Sequence, residues 1–237
     1  MPSETPVMIV TGTSRGIGLG IARHFLGKEY IIEGCSRGAA AFDASAYTHT
    51  VVDVRDEDQV VAWIRSIDRR HQRIDVVVNN AGSAPAATPA LMTSGAVLED
   101  VLRTNAIGSY LVTREAARGM VARRFGRIIN VSSMAVGLHE EGTAAYAASK
   151  SAIVEFTRIM AKEWAASGVT CNVIAPSMFS TQAVEALGEA VIARALQKLT
   201  VKRVVTMEEV CHVLEFLIHP LGGIITGQVI AMGLIST

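Results

Sequence analysis

Tyr146 and Lys150 stand four residues apart in "AAYAASK", a stretch otherwise made of small side chains. On a helix this spacing places the phenol and the ammonium on one face. A phenol titrates near pH 10, too high for efficient proton exchange at neutrality. A cation held close favours the phenolate and turns tyrosine into a usable acid/base. Spacing alone is equally well served by an ordinary Tyr/Lys pair on a helix surface. The neighbours Ala144, Ala145, Ala147, Ala148 and Ser149 favour helix and would also let a flat group lie against it.

What precedes the pair shifts the reading. "GRIINVSSMAVG" brings Ser132 and Ser133 to the end of an apolar strand, Ser133 thirteen residues before Tyr146. That edge of a doubly wound sheet is where ligands bind, and a hydroxyl there can polarise a carbonyl oxygen. Nearer the start, "VMIVTGTSRGIGLGIARHF" passes from strand to helix through Gly12, Gly16 and Gly18, with Ser14, Arg15 and Ile17 between them. The spacing is G-x-x-x-G-x-G rather than G-x-G-x-x-G. The physics is shared: a tight turn, close approach of backbone to a pyrophosphate, and free N–H groups at a helix start. An ordinary turn that uses glycine for positive φ reads the same way.

A dinucleotide with a free 2′-hydroxyl wants an acidic residue at the end of the second strand. Glu33 falls two or three residues short of that end, where Ser36 and Arg37 stand instead. A small residue followed by a forked donor suits a 2′-phosphate, and Arg15 can approach the same group. The expected cofactor is NADP(H).

These residues need a scaffold. Apolar, β-branched runs at 7–10, 30–32, 50–52, 75–78, 127–131, 169–174 and 228–231 are continuous rather than alternating. Such runs suit strands covered on both faces. Helix-length segments separate them. Asp56 with Gln59 caps a helix carrying Val60, Val61, Ile64 and Ile67, and another helix carries Ile153, Phe156, Met160 and Trp164. The expectation is an α/β fold of Rossmann type, doubly wound: seven parallel strands with helices on both faces, and one domain over 1–237.

Composition narrows the partners. The chain has 237 residues, half of them apolar, with 22 basic and 22 acidic residues and zero formal net charge. With no basic run, nucleic acid and membrane surfaces are poor partners. Cys35, Cys171 and Cys211 are odd in number and far apart, which reads as core packing in a reducing compartment. No metal-ligand spacing occurs among the histidines. With neither an apolar leader nor a membrane-length run, the expected location is cytoplasmic.

The chain resembles the short-chain dehydrogenase/reductase family over almost its whole length. The motifs are T-G-x-x-x-G-x-G at Thr11–Gly18, D-V at Asp53-Val54, N-N-A-G at Asn79–Gly82, Asn105 in "LRTNAIG", the Ser133/Tyr146/Lys150 set, and N-x-I-A-P at Asn172–Pro176 before Thr181. The resemblance implies that Tyr146 exchanges the proton at the reacting oxygen and that Lys150 tunes it and binds the nicotinamide ribose. It implies that Ser133 rather than Ser132 orients the substrate carbonyl, and that Asn105 kinks its helix and holds a water leading to Lys150. Asp53 and Val54 would flank the adenine, Asn79, Ala81 and Gly82 the adenosine, and Pro176, Phe179 and Thr181 the carboxamide. Homo-oligomers, dimers or tetramers, are implied as well, paired through apolar helix faces at 97–119 and 146–164.

The chain departs from the family pattern at Ser177, where glycine is usual, at Met207, where proline commonly precedes the acidic pair, and in the tail after Gly227. The overall register looks most like 3-oxoacyl-[acyl-carrier-protein] reductases. Other readings are a dehydrogenase or reductase of a sugar, polyol, steroid-like or secondary-metabolite alcohol, and a catalytically inactive dinucleotide sensor. Arg123, Arg124 and Arg127 could serve a carrier-protein substrate beside the site entrance or simply solvate a helix end. Leu187, Val191 and Leu196 could line a substrate pocket, and His139, Glu140 and Glu141 either select substrate or form a polar turn.

Overall fold

A computed structural model describes residues 5–179 and 189–233, the side chains at 189, 190, 191 and 194 excepted. Seven parallel strands form one sheet in the order β3-β2-β1-β4-β5-β6-β7. They are β1 (Val7–Thr11), β2 (Ile31–Ser36), β3 (Tyr47–Val51), β4 (Val76–Asn79), β5 (Gly126–Val131), β6 (Val169–Pro176) and β7 (Val229–Met232). The order reverses between β1 and β4, and a ligand crevice opens at such a switch point, beyond the carboxyl ends of the strands.

Side-chain alternation divides the core in two. Val7 and Ile9 face a cluster with Trp63, Ile64 and Ile67 of α2 (Glu57–His71), Val112 and Met120 of α4 (Gly108–Arg123) and Met160 of α6 (Ala144–Trp164). Met8 and Val10 face the opposite cluster, with Ile21 and Phe25 of α1 (Gly16–Leu26) and Leu214 and Leu217 of α8 (Met207–Ile218). Both faces of β1 are therefore dry, which is why its run is apolar without interruption.

Two strands differ from the runs in the sequence. β2 continues through Glu33 to Ser36 because the carboxylate, fully buried, is met by Arg70 at 2.6 Å and His71 at 2.7 Å from the end of α2. β3 begins at Tyr47 rather than Thr50, since the Tyr47 ring packs where Gly34 leaves room. Helix α2 starts where expected: Asp56 accepts the Gln59 N–H at 3.1 Å, and Gln59 Oε1 in turn accepts from the Asp53 N–H at 3.0 Å.

Helix α3 (Gly95–Leu102) runs into α4 through one π turn, Arg103–Ile107. A short α5 (Ala135–Leu138) precedes α6, and α7 (Glu189–Gln197) precedes α8. The three cysteines are buried and free. Among the described residues no helix is long and apolar enough to cross a membrane, and no cluster of potential metal ligands occurs.

Candidate active site

The glycine turn joins β1 to α1. Gly12 and Gly16 take φ of +77° and +60°, and a Cβ at Gly18 would collide with the Gly12 carbonyl oxygen. The turn is anchored below: the N–H groups of Gly12 and Thr13 donate to the Cys35 carbonyl at 2.8 and 3.1 Å. Asn80 Nδ2 donates to the Thr11 carbonyl at 3.0 Å. The amino end of α1 is left open. Its cap residue, Arg15, gives no side-chain hydrogen bond, no acidic residue occupies the first turn, and nothing lies within 4 Å of a Cβ built on Gly16. Bare N–H groups beside open space fit a phosphate.

At the end of β2, Ser36 is half-buried and Arg37 exposed. Ser14 and Arg15 are exposed as well, and neither arginine makes an ion pair with the described residues. Asp53 is engaged by Arg55, whose Nη2 lies 2.6 Å from Oδ2, and this pairing holds the Asp53 carboxyl below its usual range. Val54 is turned inward, buried against Gly108.

The residues after β4 divide by direction. Asn79, expected to flank the adenosine, points under the sheet instead. It is 1% exposed, and its Nδ2 donates to Thr113 Oγ1 and Asn130 Oδ1, both at 2.7 Å. Strand alternation explains this, because Asn79 is still the last residue of β4. Asn80, the next residue of the same motif, lines the crevice with Gly82. The turn of alternation at a strand end was the signal that could have separated the two.

Asn105 sits in the π turn, fully buried. Its Oδ1 accepts from the Ser83 N–H at 2.7 Å, and its Nδ2 donates to the Ser83 carbonyl and to Ser149 Oγ, both at 2.9 Å. Its side chain thus clamps the loop after β4 to α6.

Ser133, Tyr146 and Lys150 border one cleft of about 190 Å³, together with Ile17, Asn80, Gly82 and Pro176. Ser132 Oγ donates away from it, to the Lys150 carbonyl at 3.1 Å. Ser133 accepts from the Ala135 N–H at 3.2 Å and borders the cleft beside Tyr146. Lys150 is 4% exposed; its Nζ donates to the Val131 carbonyl at 2.8 Å and lies 5.9 Å from the centre of the Tyr146 ring.

The titration of the pair runs against expectation. Burial raises the Tyr146 phenol above its ordinary value, with Ser133 pulling the other way. Burial also brings the Lys150 ammonium down to about 8. Removing both groups from water disfavours both charged forms, and at Tyr146 burial is the largest effect.

Two further hollows open onto this cleft. One of about 250 Å³ shares Tyr146 and is walled by Ala86, Thr88, Met92 and Val97. Another of about 280 Å³ shares Ser133 and includes Met134 and His139. Glu140 pairs with Lys198 at 2.9 Å, tying the loop before Tyr146 to the segment after α7. A larger hollow, about 570 Å³, lies elsewhere, between α8 and β7, and contains none of the expected site residues.

Beyond β6, Ser177 donates its N–H to the Met232 carbonyl at 3.0 Å, while its buried Oγ has no partner. Phe179 bridges to Val205 and packs into the core beside α8. Thr181 and Leu187 lie outside the described residues, as does the side chain of Val191; Leu196 is half-buried. The three arginines considered for a carrier protein precede or begin β5, so within the chain they stand at the opposite end of the sheet from Ser133. Arg127 is buried, and Arg123 and Arg124 donate to the carbonyls of Ile74 and Ala166.

Known proteins resemble this chain in sequence and fold. A family model described as short chain dehydrogenase matches residues 6–191. The 3-oxoacyl-[acyl-carrier-protein] reductase MabA of Mycobacterium avium is 35% identical over 224 residues, covering 94% of this chain and 86% of that protein. The reductase FabG of Vibrio harveyi is 32% identical over 234 residues, 96% of each. Among solved structures, ElxO with NADP bound superimposes with a TM-score of 0.90 at 25% identity, covering 96% of this chain and 97% of that one. The chain belongs to the short-chain dehydrogenase family.

Proposed function

We propose that this protein is an NADP(H)-dependent oxidoreductase that reduces a ketone to a secondary alcohol, with a 3-oxoacyl thioester on acyl carrier protein as its substrate. The observation that carries the reading is the single cleft bordered by Ser133, Tyr146, Lys150 and the start of α1. The similarity to MabA and FabG supports the substrate class. The open amino end of α1, the free Arg15 and Arg37, and the NADP-bound ElxO support the cofactor.

Residues from the glycine turn to Pro176 would hold the cofactor, which supplies the hydride when bound. Everything else falls to the chain. Ser133 and Tyr146, both at the cleft, present two hydroxyls to one substrate oxygen. Burial keeps Tyr146 a neutral phenol, the form that donates a proton to the alkoxide as it develops. Lys150, held by the Val131 carbonyl, is placed to bind a ribose hydroxyl and to favour the phenolate that remains. Asn105 fixes the Ser83 loop against α6 and so keeps the cleft wall in place. The exposed Leu98, Ile107, Tyr110 and Ile159 on α3, the π turn, α4 and α6 support a homo-oligomer.

The test is NADPH consumption with a β-ketoacyl thioester. The protein is expected to turn it over much faster with NADPH than with NADH, and Tyr146→Phe to abolish turnover while cofactor binding persists. Equal rates with both cofactors would refute the Arg15/Arg37 argument. Tight dinucleotide binding without turnover of any carbonyl would favour a sensor instead.

A further inference from the structure

We infer that His49 on β3 is a positioning residue for the 2′-phosphate of NADP(H), because it lets the Ser36 hydroxyl bind the phosphate without opening the turn that carries Arg37. This rests on the cofactor reading above. None of the motifs of the sequence includes His49.

Residues 36–38 form a tight turn at the end of β2, with Ser36 Oγ donating to the Gly38 carbonyl at 3.0 Å. His49 Nε2 reaches the same carbonyl at 3.0 Å and Ser36 Oγ at 3.2 Å. A carbonyl only accepts, so Nε2 must carry the hydrogen. The Gly38 carbonyl therefore has two donors, one on each side of the exposed Arg37.

The imidazole is itself fixed from below. Its Nδ1 lies 2.9 Å from the Tyr47 hydroxyl and 3.3 Å from Thr13 Oγ1. Thr13 belongs to the glycine turn, and Tyr47 Oη also lies 2.9 Å from Thr13 Oγ1. Gly34, opposite His49 in the β2–β3 register, has no side chain and leaves the space where these groups meet. Phe42 stacks on Tyr47 with ring centres 4.2 Å apart, closing the outer side. The network thus couples the turn at the end of β2 to the turn at the start of α1, the two places expected to hold the two ends of the adenosine.

The consequence follows from counting protons. Ser36 has one hydroxyl hydrogen, and now it goes to Gly38. A phosphate arriving beside Arg37 is a stronger acceptor than a carbonyl. If Ser36 turned to it without His49, the turn would lose its side-chain bond at the moment Arg37 must be held in place. With His49 present, Nε2–H keeps the Gly38 carbonyl and the turn stays closed. NAD(H) has no 2′-phosphate and asks nothing of this arrangement, so the effect is confined to NADP(H).

Direct binding tests this without turnover, by calorimetric titration of the full chain with NADP⁺ and with NAD⁺. The native chain should prefer NADP⁺. Ser36→Ala and His49→Leu should each weaken NADP⁺ roughly tenfold, the loss of one hydrogen bond to a charged group, and leave NAD⁺ within about twofold. His49→Gln, which keeps a donor for Gly38, should recover most of the NADP⁺ affinity. Losses that fall equally on both cofactors overturn the proposal. Should His49→Leu fail to fold, Ser36→Ala alone still decides: unchanged NADP⁺ affinity overturns it. A native chain that binds both cofactors alike overturns the NADP(H) reading and this proposal with it, whereas a strong NADP⁺ preference that survives His49→Leu overturns this proposal alone.

Discussion

Glu33 and Lys150 are both withdrawn from water, at 0% and 4% exposure, yet their surroundings are opposite. Glu33 lies within β2 and meets two cationic or potentially cationic side chains, Arg70 and His71, that reach it from the end of α2. Lys150 lies at the cleft and has no carboxylate within ion-pairing distance among the described residues; its Nζ donates to the Val131 carbonyl. A buried charge with counter-charges joins two elements, and the protein gains a fixed contact between strand and helix. A buried charge left to a neutral carbonyl is a cost to folding that packing does not require. Its justification lies in chemistry, and the cleft around Lys150 is where the other reactive side chains stand.

The sharpest way to break this contrast is to remove each charge and watch turnover. Lys150→Met should lower turnover of a β-ketoacyl thioester on the order of 10³-fold, within the range for groups that serve proton transfer. Glu33→Gln should leave the turnover of the folded protein unchanged. If Glu33→Gln lowered turnover as much as Lys150→Met, the division into structural and chemical burial would fail.

The second effect is on stability, and there the order reverses. Glu33→Gln should cost about 2 kcal/mol, read as a lower midpoint in urea with an unchanged slope. This is less than for a fully enclosed pair, because Arg70 is 46% exposed and can turn to solvent. A loss below about 0.5 kcal/mol would mean that Arg70 and His71 merely cover the carboxylate.

The contrast also marks where the sequence could and could not be read. The strands buried on both faces announce themselves as unbroken apolar runs, and the Asp56–Gln59 cap and the Tyr146–Lys150 face follow from local spacing. The Glu33 pairing was hidden because its partners are 37 and 38 residues away on another element. Local spacing placed Glu33 inside the strand but named no partner for it, and only α2 packing against β2 supplies one. The upward shift of Tyr146 was hidden for the same reason. Spacing predicts that a lysine sits beside a tyrosine, but not that both leave water together, and burial outweighs proximity. The place of Arg123 and Arg124, by contrast, was available: residues just before a strand of a parallel sheet must lie at its amino edge, away from the ligand crevice.

The smallest effect is the most diagnostic of an unpaired buried charge. Burial lowers the Lys150 ammonium from 10.5 to about 8, which corresponds to roughly 3 kcal/mol of destabilisation carried by the charged form. Methionine removes that cost and loses the hydrogen bond to Val131, worth about 1 kcal/mol. Lys150→Met should therefore be about 1 to 2 kcal/mol more stable than the native chain at pH 7 while being far less active. Between pH 8 and 10.5 the unfolded chain holds the lysine proton and the folded chain does not, so native stability rises with pH over that interval relative to the variant. The variant's advantage should be constant below pH 8, shrink through the window, and above it give way to a native chain more stable by about 1 kcal/mol, the hydrogen bond to Val131. Paired urea titrations at several pH values measure the difference, in which other alkaline effects on the fold cancel. An advantage that stays constant across the window would mean that Lys150 is as well solvated in the folded chain as in the unfolded one, and its contrast with Glu33 would be lost.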